Sequence, residues 1–232
     1  MANYMIRPRY WIKHLTARRA VRGYPLYDVP HKRAERTMTE SEAQENFDYF
    51  MNVRLARLAH FVNWMDEHFS IRPTIDGDGL TAVSNWADEF GGGLIRRNDA
   101  LNTWATYEPI WNDSDAGFNV MIDIGIFQGE YLIARRPRLG WEIYRGREIE
   151  PATFESIAFL KPCLGGFSRF WNGFPLEAGA GALLNAHGLA TFGDHMSRSR
   201  SLITNAQQNL YHSNIPEGDD PVVVGDHRNE RL

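Results

Sequence analysis

The chain has 232 residues, of which 43% are hydrophobic and 23% are charged. This composition is typical of a soluble globular protein, and it excludes a disordered chain, a collagen-like repeat and a membrane-spanning bundle. The formal net charge of -4 conceals an asymmetry. Residues 1–36 carry nine basic and two acidic side chains, a net charge of +7, which leaves -11 on the rest of the chain.

The single cysteine, Cys163, cannot form an intrachain disulfide or a cysteine-rich metal site. Residues 1–20 lack an apolar run long enough for the core of a signal peptide. No stretch approaches the roughly 20 apolar residues that span a bilayer. We therefore expect a cytoplasmic protein without membrane contact.

Residues 1–36 are predicted to form a basic N-terminal arm. Arginines neutralise phosphates and aromatic rings stack on bases, so the arm could contact a polyanion. The acidic remainder of the chain argues against a nucleic-acid surface on the body, and it favours docking of the arm on an acidic surface of this protein or of a partner. Pro25 and Pro30 predict an extended segment over 24–31. The candidate partner-binding residues are Arg7, Arg9, Lys13, Arg18, Arg19 and Arg22.

The clearest helix signal begins at Thr39, which has the spacing of a capping box with Glu42. Ile71 to Pro73 is predicted to end this helix. Arg54 and Arg57 fall off its apolar stripe. The stripe itself comprises Phe47, Met51, Leu55, Leu58, Val62, Met65 and Phe69.

A turn at Asp76 to Gly79 is predicted to lead into a second helix, with Asp78 as the N-cap and the glycines at 91–93 as the end. Residues 94–111 are predicted to form a loop with a short strand near 103–107. A third helix should begin near Asp113 or Ser114 and end before Pro137.

Gly125 and Gly129 lie four residues apart in the third helix, which indicates close approach of another backbone. A strand is predicted over 139–145 and a second strand within 153–160. The remaining predictions are a loop or irregular sheet over the Gly- and Phe-rich segment 161–175, a helix over 176–186 weakened by glycines, and a helix over 199–212.

Two carboxylates are the first candidates for catalysis. Asp123 and Glu130 lie seven residues apart, about 10.5 Å along a helix, which is long for a retaining pair and marginal for an inverting pair. With His60 they would form a hydrolase site. The alternative is structural: one carboxylate is solvated, and the other, Glu130, pairs with a buried arginine or a backbone amide.

Other candidates are weaker. Cys163 could act as a nucleophile with His187, Asp194 or His195, but a lone cysteine is usually a small buried hydrophobe. His60 and His68 are two helical turns apart, too far for one metal ion without further ligands. No phosphate-binding or dinucleotide motif is present. We expect neither a metal nor a cofactor.

The residues from Asp123 to Ile133, followed by Pro137 to Trp141, combine a helix bearing G-x-x-x-G-E with a proline and a Trp-bearing strand. Together with residues 24–31 and 54–60, this pattern resembles uncharacterised bacterial domains associated with immunity-like proteins of toxin systems. The resemblance covers residues 24–145 and carries over no catalytic residue. It implies a compact α+β domain that acts by binding a partner.

The sequence thus predicts an α+β fold, in which a helix-dominated N-terminal two-thirds packs on a small antiparallel sheet and C-terminal helices follow. The predicted organisation is a basic arm over 1–36, one globular domain over 37–212 and a loose acidic tail over 213–232. The favoured function is a non-enzymatic bacterial protein-binding factor, immunity-like or accessory, with a protein partner of complementary charge. The alternatives are a hydrolase and a nucleic-acid accessory protein.

Overall fold

The computed structural model describes residues 6–32, 37–94, 116–145, 159–167 and 201–214, and single positions between 175 and 190. The elements in these ranges are α1 (Pro8–Ala20), α2 (Glu40–Phe69), α3 (Gly77–Phe90) with a short 3-10 turn at Gly91–Gly93, α4 (Ala116–Arg135), β1 (Gly140–Ile143), β2 (Pro162–Gly165) and α5 (Leu202–His212). The helix-dominated α+β fold with a small antiparallel sheet is confirmed.

Helix α1 lies within the segment interpreted from the sequence as an arm. It begins with Pro8 at its first position, and its last turn contains Arg18 and Arg19, which suits the negative end of the helix dipole. Its buried side, which includes His14, packs against α3 and the 3-10 turn. A Cβ on Gly93 would stand 2.7 Å from the backbone of His14. Only glycine allows this close approach, so the first helix is integrated into the fold.

Helix α2 begins as predicted. The Thr39 hydroxyl accepts a hydrogen bond from the Glu42 amide at 3.3 Å, and the Glu42 carboxylate accepts one from the Thr39 amide at 2.8 Å. These reciprocal bonds complete the capping box and satisfy two amides that the first turn leaves without helical partners. The helix ends at Phe69, where Ser70 adopts a left-handed conformation with φ 55°.

The buried face of α2 differs from the predicted stripe. Leu55, which was placed on that stripe, is 55% exposed, whereas Arg57 is only 7% exposed. The observed buried face follows the 3.6-residue period and has Arg57 near its middle. A stripe drawn through the apolar residues alone is therefore rotated about the helix axis relative to the observed buried face. The buried side chains of this helix are Ala43, Phe50, Arg57, Phe61, Trp64 and Met65.

Helix α3 has a different cap from the predicted one. The carboxylate of Asp76, not Asp78, accepts the hydrogen bond from the Gly79 amide at 2.9 Å. Gly79 has a second constraint, because a Cβ there would lie 1.8 Å from the carbonyl oxygen of Thr74. The turn therefore starts the helix two residues earlier than Asp78 would.

Helix α4 occupies the centre of the molecule. Residues 117–129 are all buried, and the helix contacts α2, α3 and α5. A helix with apolar residues on every side is expected to be surrounded by other elements, and its buried polar residues Asn119, Asp123 and Gln128 then need partners. Gly179 approaches this helix so closely that a Cβ on it would stand 3.3 Å from the Gly125 amide nitrogen. The predicted backbone approach is therefore confirmed at Gly125, but it is wrong at Gly129, where the close neighbour is the Trp141 side chain.

The sheet consists of β1 and β2, which pair antiparallel with Gly140 opposite Gly165 and Ile143 opposite Pro162. The second strand begins two residues after the segment 153–160 in which it was predicted. Backbone pairing extends beyond the two strands, because the Leu160 amide donates to the Tyr144 carbonyl at 2.7 Å. Leu160 itself has a positive φ of 59°. The short strand predicted near 103–107 lies outside the described residues.

The C-terminal helices are confirmed where the structure describes them. Ser201 caps α5 by accepting a hydrogen bond from the Thr204 amide, and the described positions within 176–186 are helical. Among the described helices, none combines the length and the apolar character needed to cross a membrane. The predicted domain boundaries at 36 and 212 stay predictions.

Candidate functional site

A buried ion pair joins the two central helices. Arg57 of α2 donates from Nε to Asp123 Oδ1 at 2.6 Å and from a terminal nitrogen to Asp123 Oδ2 at 2.9 Å. The hydroxyl of Tyr24 donates to the same Oδ2 at 2.6 Å. Asp123 is fully buried, and its two oxygens thus accept three hydrogen bonds. This bidentate geometry is the strongest form of the arginine–carboxylate contact.

The same arginine holds the proline-pinned segment over 24–31. A terminal nitrogen of Arg57 donates to the Leu26 carbonyl at 3.1 Å and to the Pro25 carbonyl at 3.4 Å. The Tyr27 amide donates to the Asn119 side-chain oxygen at 2.6 Å. An extended segment forms no regular backbone hydrogen bonds within itself, so its buried amide and carbonyl groups need partners on other elements. The network therefore ties this segment to α2 and α4.

Burial dominates the protonation equilibria of this network. It raises the pKa of Asp123 from 3.8 to about 6, although the bonds from Arg57 and Tyr24 favour the ionised form. Burial, and then the neighbouring Asp123 carboxylate, raise the pKa of Tyr24 well above its ordinary value. Burial opposes the charge of Arg57, but Asp123 together with Tyr24 and Tyr27 outweighs it and raises the pKa of the guanidinium. At neutral pH the pair is therefore charged.

We expect the Asp123 carboxyl to titrate near pH 6, measured from its ¹³C chemical shift by NMR and assigned with Asp123→Asn. Because the folded-state pKa exceeds 3.8, the folded protein holds a proton between about pH 4 and 6 that the unfolded chain has released. The contribution of Asp123 to the free energy of unfolding therefore falls as pH rises through this window.

Asp76 provides the internal control for that titration. The hydrogen bond from the Gly79 amide lowers the pKa of Asp76, so this carboxyl should titrate below its ordinary value. A midpoint for Asp123 below 4 would contradict the prediction, because it would mean that the three hydrogen bonds outweigh burial.

Glu130 forms a second, shallower ion pair about two helical turns further along α4. Its Oε1 accepts from Arg54 Nε at 3.1 Å and from the indole nitrogen of Trp141 at 2.9 Å. A partly buried arginine partner for Glu130 matches the structural alternative. The expectation that the other carboxylate is solvated is wrong, since Asp123 is fully buried.

His60, the third member of the hydrolase alternative, is exposed on α2. Its ring lies edge-on to Tyr24 at 5.0 Å between centroids. Burial of part of the ring, together with the positive charge of Arg57, lowers the pKa of His60. Asp123 is bonded to Arg57 and Glu130 is bonded to Arg54. Both oxygens of Asp123 already accept hydrogen bonds. This arrangement suits helix packing better than proton transfer to a substrate.

Cys163 lies on β2 and is fully buried. Burial, followed by the nearby Glu142, raises the pKa of its thiol, so the thiolate is not formed at neutral pH and the group is a poor nucleophile. His187, Asp194 and His195 fall outside the described residues. Within the described ranges, no three His, Cys, Asp or Glu side chains converge as metal ligands would.

Five of the six basic residues predicted to bind a partner have exposed side chains: Arg7, Arg9, Arg18, Arg19 and Arg22. Lys13 is partly buried and forms an ion pair with Glu89 at 2.6 Å, and Arg9 donates to the hydroxyl of Tyr10 at 2.5 Å. The Nε of Arg18 donates to the Gly93 carbonyl at 3.3 Å. This bond holds the guanidinium group beside the 3-10 turn.

Tyr10 and Trp11, neighbouring aromatic residues of the arm, differ in exposure. Tyr10 is buried, and Tyr4 falls outside the described residues. Trp11 is 58% exposed and its neighbour Ile12 is 69% exposed. Sequence reasoning assigned no role to Ile12, and it placed Arg57 off the apolar stripe of α2. The signal that could have identified Ile12 is its position in the helical period beside Arg19.

Comparison of the chain with protein-family models, curated proteins and solved structures found no match.

Proposed function

We propose that this chain is a non-enzymatic bacterial binding protein, immunity-like or accessory, that contacts an acidic protein partner in the cytoplasm. The observation that carries the proposal is the outward display of Arg18, Arg19 and Arg22 on and just after a helix that is packed on the body. Complementary charge accelerates association and suppresses wrong partners. Charges on a packed helix are also held in place before binding, which reduces the entropy lost on association.

Two observations favour binding over the alternatives. The carboxylates of a hydrolase site would need access to substrate, whereas Asp123 is fully buried and bonded to Arg57. A single-strand nucleic-acid site relies on several exposed stacking rings, whereas Tyr10 is buried and leaves Trp11 as the one exposed ring among the described residues of α1. A protein partner requires neither feature.

The proposal predicts that the full chain, immobilised, retains a stoichiometric protein from an extract of its native host. Arg19→Glu with Arg22→Glu should weaken retention at least about tenfold, and rising salt should weaken it further, because the contact depends on charge. Arg72→Glu with Arg145→Glu is the matched control, since these arginines are also exposed and the net charge changes equally.

Retention of no protein would overturn the proposal. Equal weakening by both pairs of substitutions would also contradict it, because net charge and not the α1 surface would then control binding.

A further inference from the structure

The outward side of α1, here called the outer face, comprises Trp11, Ile12, Leu15, Arg18 and Arg19. Trp11 and Ile12 are two of the most exposed large hydrophobic side chains in the described part of the chain, at 58% and 69%. Leu15 is partly exposed, and Arg18 and Arg19 are exposed. The N-terminal half of this face is therefore apolar and its C-terminal half is basic.

The spacing on the outer face is that of a helix-packing stripe. Trp11, Leu15 and Arg18 follow at intervals of four and three, and Ile12 and Arg19 lie seven residues apart beside them. Residues at these intervals lie on one side of a helix and form the ridges into which a second helix packs. Trp11 and Arg18 are separated by about 10.5 Å along the axis, roughly two turns of a partner helix.

The opposite side of α1 shows why the outer face lacks a partner within the described fold. Tyr10, His14, Ala17 and Ala20 are the buried residues, and they face α3 and the 3-10 turn. The fold thus uses one side of the helix for its own core. Tryptophan and arginine are also the residue types that most often dominate binding energy at protein interfaces.

We propose that the outer face docks an acidic amphipathic helix of another protein. The partner helix places apolar side chains against Trp11 and Leu15, and its carboxylates against Arg18 and Arg19. The charge of the face selects this occupant over a second copy of the chain, because a second outer face has no carboxylate to offer Arg18 and Arg19. A parallel pair would place arginines against arginines, and an antiparallel pair would place them against Trp11 and Ile12. The inference rests on the proposed function and names the partner's chemistry.

Site-specific photo-crosslinking tests the occupant directly. The full chain carries a photoreactive phenylalanine at Ile12, and a control chain carries it at Leu55, which is similarly apolar and 55% exposed on α2. After irradiation in a native-host extract, the peptide joined to position 12 should come from another protein. It should carry acidic and apolar residues at helical spacing. Crosslinking to a second copy, to lipid, to nucleic acid or to a non-acidic segment would overturn the proposal.

Affinity measurements then separate the apolar half of the face from the basic half. The probe is the crosslinked peptide, made synthetically. Trp11→Ala should raise its dissociation constant at least about tenfold, as for a central aromatic anchor, and Leu55→Ala should leave it unchanged. Arg19→Glu should raise it in a salt-dependent way, and Arg72→Glu should not.

The failures are distinguishable. If the chain retains a protein that crosslinks from position 55, or if Trp11→Ala leaves the affinity unchanged, the outer face is not the docking surface and the proposed binding function survives. If the chain retains no protein at all, both are overturned.

Discussion

Arg57→Met is expected to lower the free energy of unfolding by about 3–5 kcal/mol, measured by urea denaturation at pH 7 with circular dichroism. Removing one member of a buried ion pair leaves the other charge without compensation, and that cost exceeds the net value of the pair itself. Asp123 is fully buried and would lose both bonds from Arg57. The carbonyls of Pro25 and Leu26 would lose their donor as well.

Two controls separate charge from packing. Arg54→Met removes the analogous bond to Glu130, but that pair is partly exposed at 21% and 16%, so a smaller loss is expected. Arg57→Met combined with Asp123→Asn should recover part of the loss, since no unpaired charge then stays in the core. Equal losses for the two arginines would contradict the prediction.

The pH dependence of Arg57→Met has a defined sign. Without the guanidinium, burial should raise the pKa of Asp123 further above its already elevated value of about 6. The variant can then relieve its unpaired charge by binding a proton. The loss of stability should therefore be smaller at pH 5 than at pH 8, whereas a purely steric effect would be the same at both.

The start and end of α2 were predictable because they depend on local chemistry. Thr39 and Glu42 are three residues apart, so their mutual hydrogen bonds require only the first turn of the helix. The rotation of the buried face could not be predicted in the same way. Arg57 is buried because Asp123, 66 residues away in sequence, supplies its counter-charge, and hydrophobic periodicity contains no information about that pairing.

The candidate site shows the same division between local and distant causes. The spacing of Asp123 and Glu130 placed both on one side of a helix, and the structure places both beside α2. Their chemistry was set by arginines that are on another helix, Arg57 and Arg54.

Helix α1 was missed because its buried residues, such as His14 and Ala17, are polar or small. The close approach of Gly93 to His14 makes them a packing face.

The Arg57–Asp123 pair also explains how the extended segment over 24–31 contributes to the fold. Its Tyr24 hydroxyl bonds to Asp123 and its Tyr27 ring lies 5.6 Å from the Arg57 guanidinium carbon. The segment thus covers the junction between α2 and α4 and limits access of water to the buried charges. In a drier environment the attraction between those charges is stronger.

Gly129→Ala is the second substitution with a large expected effect, a net loss on the order of 2 kcal/mol in the free energy of unfolding. A Cβ at this position would lie 2.1 Å from Cζ2 and 2.4 Å from Cη2 of Trp141. The indole cannot move freely, because it donates to Glu130 at 2.9 Å and packs edge-on to Phe50 at 4.8 Å. Overpacking should exceed the roughly 1 kcal/mol that alanine gains over glycine in a helix.

Gly140→Ala is the matched control for Gly129→Ala. Nothing lies within 4 Å of a Cβ built at Gly140, so its effect should stay within about 0.5 kcal/mol. A second test combines Gly129→Ala with Trp141→Phe, which removes the atoms that the new methyl group would meet. The double variant should lose less stability than the sum of the two single variants, because the clash is shared between them. Additive losses would mean that Trp141 is not what excludes a side chain at position 129, and the requirement for glycine at this position of α4 would then need another cause.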